Sequence, residues 1–278
     1  MYRIEVLIAT MFKENENEIV NLLNDMNINS DCVIVSQCNK NGIENFAYKD
    51  YKVTCVFSTE RGLSRSRNLA MRYATADIVI IADDDVRYND DYSEIVKISY
   101  EKHPECDILT FKVKNDKKYY YTEKRLNRLL IHKVSSVEIT MRLSSVKDIS
   151  FNVLFGAGSS YFLCGEDNIF LTSCIKEKKT ITYIPQKIAY FPENGRPSTW
   201  FSGFNKDYMV SKGAAYYELS HLLVLVYILQ FAVRKYTLYK KDIRFFTAIY
   251  YMILGINKYK KILKDNVRSY EKDMRPAV

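Results

Sequence analysis

Short apolar segments alternate with amphipathic segments along the first 113 residues of the chain. The segments 3–9, 32–36, 53–57, 77–82 and 106–113 are predicted as strands, and 16–26, 63–74 and 91–103 as helices. Helical spacing is clearest in the first of these helices, where the apolar positions are Ile19, Leu22, Leu23 and Met26. Strands that alternate with helices favour an α/β fold with a largely parallel sheet.

The pattern changes in the second half of the chain. Periodicity is lost near residue 115, and 135–143 then alternates like a strand that pairs antiparallel. Two further apolar stretches, 218–244 and 245–264, predict helices, and neither comfortably supplies the ~20 apolar residues of a membrane-spanning helix. We expect these helices to pack at least partly on the body of the protein, while their basic flanks favour contact with an anionic membrane surface.

The net charge of +8 is concentrated in the last quarter of the chain. Residues 1–200 contain 27 basic and 27 acidic side chains, whereas 201–278 contain 14 basic and 6 acidic ones. This shift predicts a catalytic domain over 1–200 and a basic helical extension over 201–278, which contacts a membrane surface or an oligomer partner. No recognised RNA- or DNA-binding module is present, so nucleic acid is not expected as a partner.

The six cysteines have no metal-binding spacing and are expected to be reduced thiols of a cytosolic protein. The N-terminus lacks a basic region followed by a long apolar stretch, so no signal peptide is expected. These features predict a cytoplasmic protein, peripheral at the inner face of the cell membrane where the basic helices contact lipid.

The sequence "IVIIADDDVRY" (78–88) places three carboxylates directly after a buried strand. Aspartates often cap helices or form turns, but Asp90 and Asp91 are already available to cap the next helix. Ligands of open α/β sheets bind outside the carboxyl ends of the strands. Carboxylates there can hold a hard divalent cation that takes its other ligands from phosphate and water. We therefore favour a metal site for a phosphate-containing ligand.

Two further motifs accompany the aspartates. In "RGLSRSRN" (61–68), Ser64 and Arg67 share one face of a predicted helix and Arg65 points away, so a diphosphate could lie near the start of this helix. In "FGAGSSYFLCGEDNIFL" (155–171), two glycines predict a close approach, and "GED" opens a helix. The acidic pair is either an ordinary partner of the helix dipole or contains a general base, Asp167.

The ordered set "RGLSRSRN", "IIADDDV" and "GEDNIFL" resembles the family-2 inverting glycosyltransferases with the GT-A fold, and more narrowly the bacterial enzymes that assemble capsular or other surface polysaccharides. The resemblance extends from the first strand to about "STWFSG" (198–203). It implies a mixed, mostly parallel sheet flanked by helices, a nucleotide-sugar donor, a saccharide or lipid-linked saccharide acceptor, and Mn²⁺ or Mg²⁺ as the cofactor.

The resemblance also implies roles for individual residues. Asp85 is the metal ligand together with Asp83, and Asp167 deprotonates the acceptor hydroxyl with support from Glu166. The implied donor-binding residues are Thr10, Ser36, Gln37, Arg61, Arg67, Asp83 and Asp84, and the implied acceptor-binding residues are Gly156, Gly158 and Trp200.

Two segments depart from the family pattern. Relatives commonly carry an acidic "DDGS"-like stretch after the second strand, whereas this chain has "VSQCN" (35–39), in which Ser36 and Gln37 could hydrogen-bond a uracil. Many relatives also have a histidine after the acceptor helix, whereas "YFPENGRPSTW" offers Glu193 or a water molecule instead. The three histidines of the chain lie outside the motifs and are expected to be structural or exposed.

Three function classes remain open from the sequence. The first is a metal-dependent glycosyltransferase, and the second is a nucleotidyltransferase or another sugar-nucleotide enzyme that uses the same acidic site. The third is a non-catalytic, membrane-associated scaffold that retains the fold. The presence of both "DDD" and "ED" argues against the third class.

Overall fold

A nine-stranded sheet occupies the first of two units into which the chain divides. The structure is a computed structural model that describes residues 2–113, 119–192 and 201–265. The sheet unit consists of Met1–Arg61, Arg65–Ile149 and Leu171–Arg196, and the helical unit consists of Gly62–Ser64, Ser150–Phe170 and Pro197–Val278.

The strands are β1 (Ile4–Met11), β2 (Asp31–Gln37), β3 (Gly42–Tyr48), β4 (Tyr51–Ser58), β5 (Ile78–Asp83), β6 (Arg87–Tyr88), β7 (Ile108–Lys112), β8 (Lys124–Arg125), β9 (Ile139–Arg142), β10 (Ile181–Lys187) and β11 (Ala189–Tyr190). The helices are α1 (Glu16–Met26), α2 (Leu63–Tyr73), α3 (Tyr92–Lys102), α4 (Leu143–Val146), α5 (Glu166–Lys176), α6 (Lys206–Leu219), α7 (Val224–Arg234), α8 (Tyr236–Tyr239) and α9 (Phe245–Asp265).

The large sheet has the strand order β3-β4-β2-β1-β5-β9-β7-β10-β8. Strands β4, β2, β1 and β5 run parallel, and β7 is parallel to β10. Strand β9 pairs antiparallel with both β5 and β7, which confirms the antiparallel strand predicted within 135–143. The predicted α/β fold with a mixed, mostly parallel sheet is therefore confirmed.

The apolar pattern explains which faces of the sheet unit are buried. The interior residues of β1, β2 and β5 are buried on both faces, as expected for parallel strands covered by helices on each side. Helix α1 buries the four apolar positions predicted from its spacing, and its N-cap Asn15 accepts a hydrogen bond from the Glu18 amide at 3.0 Å. Its sequence therefore specifies both the start of the helix and its inward face.

Among the strands longer than two residues, two were not predicted. Strand β3 is mostly exposed and forms an antiparallel hairpin with β4, so it lacks a buried apolar run. Strand β10 pairs with β7, which is distant in sequence, and a local periodicity pattern cannot predict such a pairing. The predicted strand over 135–143 is also shorter than expected, because Ser136–Glu138 forms a 3-10 turn before β9.

The helical unit is built around the pair α6 and α9. At Gly213 an added Cβ would overlap the backbone of Met252, and at Gly255 it would overlap the backbone of Val210. The two helices can approach this closely only because both positions lack a side chain. In the described ranges, no helix combines the length and apolarity that crossing a membrane requires.

Candidate active site

Three consecutive aspartates end strand β5 at the carboxyl edge of the sheet. The strand is fully buried up to Ala82, whereas Asp83, Asp84 and Asp85 are partly exposed. Arg67 Nη2 donates to Asp83 Oδ1 at 2.8 Å and to Ser136 Oγ at 2.7 Å. The Arg67 side chain is 1% exposed, against 35% for Asp83, so the arginine carries a buried charge that requires these partners. Arg67 therefore fixes the side chain of Asp83 at the carboxyl end of β5.

The second aspartate bonds to the neighbouring strand. Thr10 Oγ1, at the end of β1, donates to Asp84 Oδ2 at 2.6 Å. From β1 the chain proceeds to β2 and β4 on one side, then returns to form β5 on the other side of β1. The Thr10–Asp84 bond thus lies at the point where the strand order reverses, which is where open α/β sheets bind ligands.

The loops beside this edge are fixed by residues predicted to contact the donor. Ser36 Oγ donates to the Lys13 carbonyl at 2.6 Å and accepts from the Lys13 amide at 3.1 Å. Arg61 Nη1 donates to the Cys38 carbonyl at 2.9 Å, and Gln37 is buried at the end of β2. The structure places all three residues at the predicted edge. Their contacts with a nucleotide stay predictions.

A glycine loop supports the second acidic motif. Gly156 has φ +110°, and an added Cβ would lie 3.2 Å from both the Glu166 carboxyl carbon and Ser64 Oγ. Ser64 Oγ donates to the Phe155 carbonyl at 2.7 Å, which joins the start of α2 to the same loop. The close approach predicted from the glycines is therefore an approach to Glu166 and Ser64 within the helical unit. A contact of Gly156 or Gly158 with an acceptor stays a prediction.

Glu166 and Asp167 occupy the first turn of α5 but differ in burial. Glu166 is 8% exposed and lies against the glycine loop, whereas Asp167 is half-buried. A carboxylate in the first turn of a helix is favoured by the helix dipole, and this applies to both residues. Asp167 is therefore the more exposed carboxylate of the pair.

The sequence matches the model of Glycosyl transferase family 2 over residues 12–158, which is more than half of the chain. The chain belongs to glycosyl transferase family 2. Family membership identifies it as a glycosyltransferase. The matched region contains Asp83–Asp85 and ends before Glu166, so the role of the second acidic motif rests on its local geometry and on the resemblance of the motif. No curated protein matches the sequence significantly.

Known structures share the fold of this glycosyltransferase. The crystal structure of Staphylococcus aureus TarS 1–349 in complex with UDP-GlcNAc is 15% identical, with a TM-score of 0.58, and the alignment covers 98% of this chain and 92% of that chain. The same TarS fragment in complex with UDP is 14% identical, with a TM-score of 0.56 and coverage of 96% and 92%. At these identities the likeness concerns the fold, and it confirms the GT-A type architecture.

Helix α6 of the glycosyltransferase packs on the loop that leads to Glu166. Ser211 Oγ accepts from the Leu163 amide at 2.9 Å, and an added Cβ at Gly165 would lie 2.6 Å from the Ala215 Cβ. The helical unit therefore includes part of the support of the "ED" motif, and this support comes from beyond residue 201.

Lys212 lies on α6 between two of these packing positions and was not predicted. Burial opposes the charge of Lys212, but its interactions with neighbouring ionisable groups, including the Glu166 carboxylate, raise the pKa of its ammonium group. Lys212 therefore places a positive charge beside the "ED" motif. The only local feature of the sequence that could have drawn attention to Lys212 is that it is a single lysine within the small-residue segment "SKGAA".

The carboxylates at the end of β5 are suitable ligands for a hard divalent cation. Carboxylate oxygens are the ligands that Mg²⁺ prefers, and Mg²⁺ commonly uses one or two of them and completes its shell with phosphate and water. Asp83 uses one oxygen for Arg67 and Asp84 uses one for Thr10, so each retains acceptor capacity. Among the described residues, the three aspartates do not form a converging set of three ligand atoms.

A different group of potential ligands converges elsewhere in the described part of the chain. Ligand atoms of His103, Glu105 and Cys106 lie within 4.8 Å of one another, before the start of β7. Burial raises the pKa of the Cys106 thiol, and its Sγ already forms a hydrogen bond with Thr182 Oγ1 at 3.2 Å. We assign no metal to this group.

Two of the predicted residues, Trp200 and Glu193, lie outside the described residues. The six cysteines are all free and buried, as expected for reduced thiols.

Proposed function

We propose that this glycosyltransferase moves a sugar, with inversion, from a nucleotide-diphosphate donor to a hydroxyl of a saccharide or lipid-linked saccharide. A UDP-sugar is the favoured donor, and assembly of a surface polysaccharide is the favoured pathway class. The observation that carries the proposal is the pair of bonds, Arg67 to Asp83 and Thr10 to Asp84, which holds acidic groups at the switch point of the sheet. TarS, which shares the fold, binds UDP and UDP-GlcNAc in its crystal structures.

On the donor side, Asp85 and Asp83 hold Mn²⁺ or Mg²⁺, and Asp84 accepts from a hydroxyl of the donor. A bound divalent cation offsets the negative charge that develops on the departing nucleotide diphosphate. Arg67 acts through Asp83, because its guanidinium is buried and bonded to that carboxylate. Ser36 and Gln37 lie at the end of β2 and contact the base.

On the acceptor side, Asp167 accepts the proton of the attacking hydroxyl while that oxygen bonds to the far face of the anomeric carbon. The bond from the anomeric carbon to the diphosphate oxygen breaks, and the electron pair leaves with the nucleotide. Glu166 interacts with the Lys212 ammonium and supports Asp167 from the first turn of α5. No covalent intermediate is required.

A nucleotidyltransferase with the same acidic site was the main alternative. Family membership favours glycosyl transfer over it. The two reactions release different products: glycosyl transfer releases a nucleoside diphosphate, whereas nucleotidyl transfer releases pyrophosphate.

The test is a panel of UDP-, GDP- and dTDP-sugars with and without Mn²⁺. We expect protection against thermal unfolding by a UDP-sugar only when Mn²⁺ is present, together with slow release of UDP. Equal protection without metal, or pyrophosphate as the product, would contradict the proposal.

A further inference from the structure

Helix α7 is apolar on two opposite faces, and the described residues of the chain cover only one of them. Its buried residues are Val224, Tyr227, Ile228, Phe231 and Ala232, which join the core of the helical unit. Its exposed apolar residues are Leu225, Val226, Leu229 and Val233, and they follow Leu222, which is 94% exposed just before the helix. This spacing of three or four residues forms one continuous stripe along the outer side of α7.

The next two helices carry similar side chains. Leu238 on α8 is exposed, and on α9 Phe246, Tyr250 and Ile253 recur at helical spacing on an exposed face. Phe246 is 80% exposed, and its neighbour Phe245 lies 5.8 Å from the Tyr236 ring of α8, so the start of α9 adjoins α8. Exposed apolar side chains that recur in this way along neighbouring helices mark an interaction site.

Basic residues lie next to the exposed apolar side chains. Between Leu222 and Phe246 the basic residues are Arg234, Lys235, Lys240, Lys241 and Arg244, all exposed, and the one acidic residue is Asp242. Long basic side chains beside Leu, Phe and Tyr are typical of helices that lie in the plane of an anionic bilayer surface. Helix α7 has 11 residues and is therefore roughly 16 Å long, about half the thickness of a hydrocarbon core.

We propose that this surface, the outer faces of α7, α8 and the first half of α9, binds the interface of an anionic lipid bilayer. Leu225, Leu229 and Phe246 enter the boundary between headgroups and acyl chains, and the basic residues from Arg234 to Arg244 contact lipid phosphates. Binding to lipid does not depend on the nucleotide sugar. One consequence does rest on the proposed function: bilayer binding brings the enzyme to the surface in which a lipid-linked acceptor is anchored.

The charge contribution is tested with vesicles of phosphatidylcholine with and without phosphatidylglycerol. The full chain should sediment with the anionic vesicles and lose much of this binding in high salt. The variant Arg234→Gln/Lys235→Gln/Lys240→Gln/Lys241→Gln should bind about tenfold less or weaker still. The matched control is Lys52→Gln/Lys102→Gln/Lys147→Gln/Lys176→Gln, at four exposed positions of the sheet unit. It changes the net charge by the same amount and should bind vesicles like the parent.

The apolar contribution is tested with Leu225→Gln/Leu229→Gln, because both positions are more than half exposed and neither belongs to the two core clusters that α7 joins. We expect weaker vesicle binding that is most evident in high salt, whereas Ile43→Gln/Leu129→Gln in the sheet unit should bind like the parent.

Sedimentation velocity on the same proteins tests whether a second copy of the chain covers this surface instead. A parent dimer that the Leu225/Leu229 variant converts to a monomer, with no vesicle binding by the parent, would assign the surface to a second copy and overturn the proposal. Binding that is equal for neutral and anionic vesicles would overturn it as well.

Discussion

The two acidic motifs of this glycosyltransferase differ in how the fold supports them. Asp83 and Asp84 end a parallel strand and are held by side chains, Arg67 and Thr10. Glu166 and Asp167 start a helix, where a glycine loop supports Glu166. The strand end presents several carboxylates together, which suits the binding of a cation and a diphosphate. The helix start presents one half-buried carboxylate beside a buried one, which suits the transfer of a single proton.

The largest effect is expected at the helix start. Asp167→Asn removes the proposed general base but keeps the size of the side chain, so transfer should fall by about 10²–10⁴-fold while donor affinity stays unchanged. Steady-state rates and donor binding on the same protein measure both. Glu177→Gln, an exposed residue just after α5, is the matched control and should be active. A parallel loss of donor affinity would move Asp167 to the donor site.

The support of the strand end is tested by Arg67→Met. This change removes a buried charge but leaves Asp83 partly solvated, so the free energy of unfolding should fall by about 2–3 kcal/mol, less than for a fully buried pair. Arg65→Met on the same helix is the control, because Arg65 is 35% exposed and its pair with Glu60 is long, at 3.8 Å. Urea unfolding should show a change of less than about 0.5 kcal/mol for the control. Equal losses for the two variants would show that Arg67 does not anchor Asp83.

The support of the helix start is tested by Gly156→Ala. The new Cβ would press on the Glu166 carboxyl group in a backbone conformation that disfavours alanine, so unfolding free energy should fall by about 1–3 kcal/mol and transfer should slow. Gly203→Ala separates the two causes, because Gly203 also has a positive φ of +91° but an added Cβ there meets nothing within 4 Å. The Gly203 variant should lose stability only. Slower transfer in both variants would remove the special role of the Gly156 contact.

Asp107 lies outside both acidic motifs and serves as a comparison for them. Asp107 Oδ2 accepts from the Thr180 amide at 2.7 Å; burial opposes its charge, but bonds from Thr180 and Ser145 outweigh burial and hold its pKa below the usual value. A lowered pKa in the folded state stabilises the protein above the ordinary aspartate pKa of about 3.9, and this contribution is lost as pH falls through the lowered value. Asp107→Asn should therefore cost about 1–2 kcal/mol at neutral pH and progressively less in acid. A cost that is independent of pH would contradict this origin.

The sequence predicts the elements whose stability is local. Helix α1 follows from the spacing of its apolar residues, and β5 from its apolar run. The inward direction of Arg67 and the outward direction of Arg65 on α2 also follow from helical spacing, and the structure has both. These features depend on neighbours within a few residues, which is the range over which periodicity carries information.

Features that depend on distant contacts were not predicted. Strand β10 exists because β7 is available to pair with it, and the bond from the Leu163 amide to Ser211 joins residues 48 positions apart. Lys212 gains its position from the packing of α6, whereas charge composition alone grouped it with the basic extension. The domain boundary at residue 200 stays a prediction, and the support that α6 gives to the loop before Glu166 favours treating α6 as part of the catalytic machinery.

Donor binding at the end of β5 should depend on a divalent metal ion held by Asp85. Asp85→Asn preserves the shape of the side chain and removes its charge. In titration calorimetry with Mn²⁺ present, Asp85→Asn should bind UDP no more tightly than the parent binds UDP without metal. Asp167→Asn should bind UDP with Mn²⁺ as tightly as the parent. Equal UDP affinity of the parent and Asp85→Asn in the presence of Mn²⁺ would contradict the assignment of this acidic cluster to the metal and the donor diphosphate.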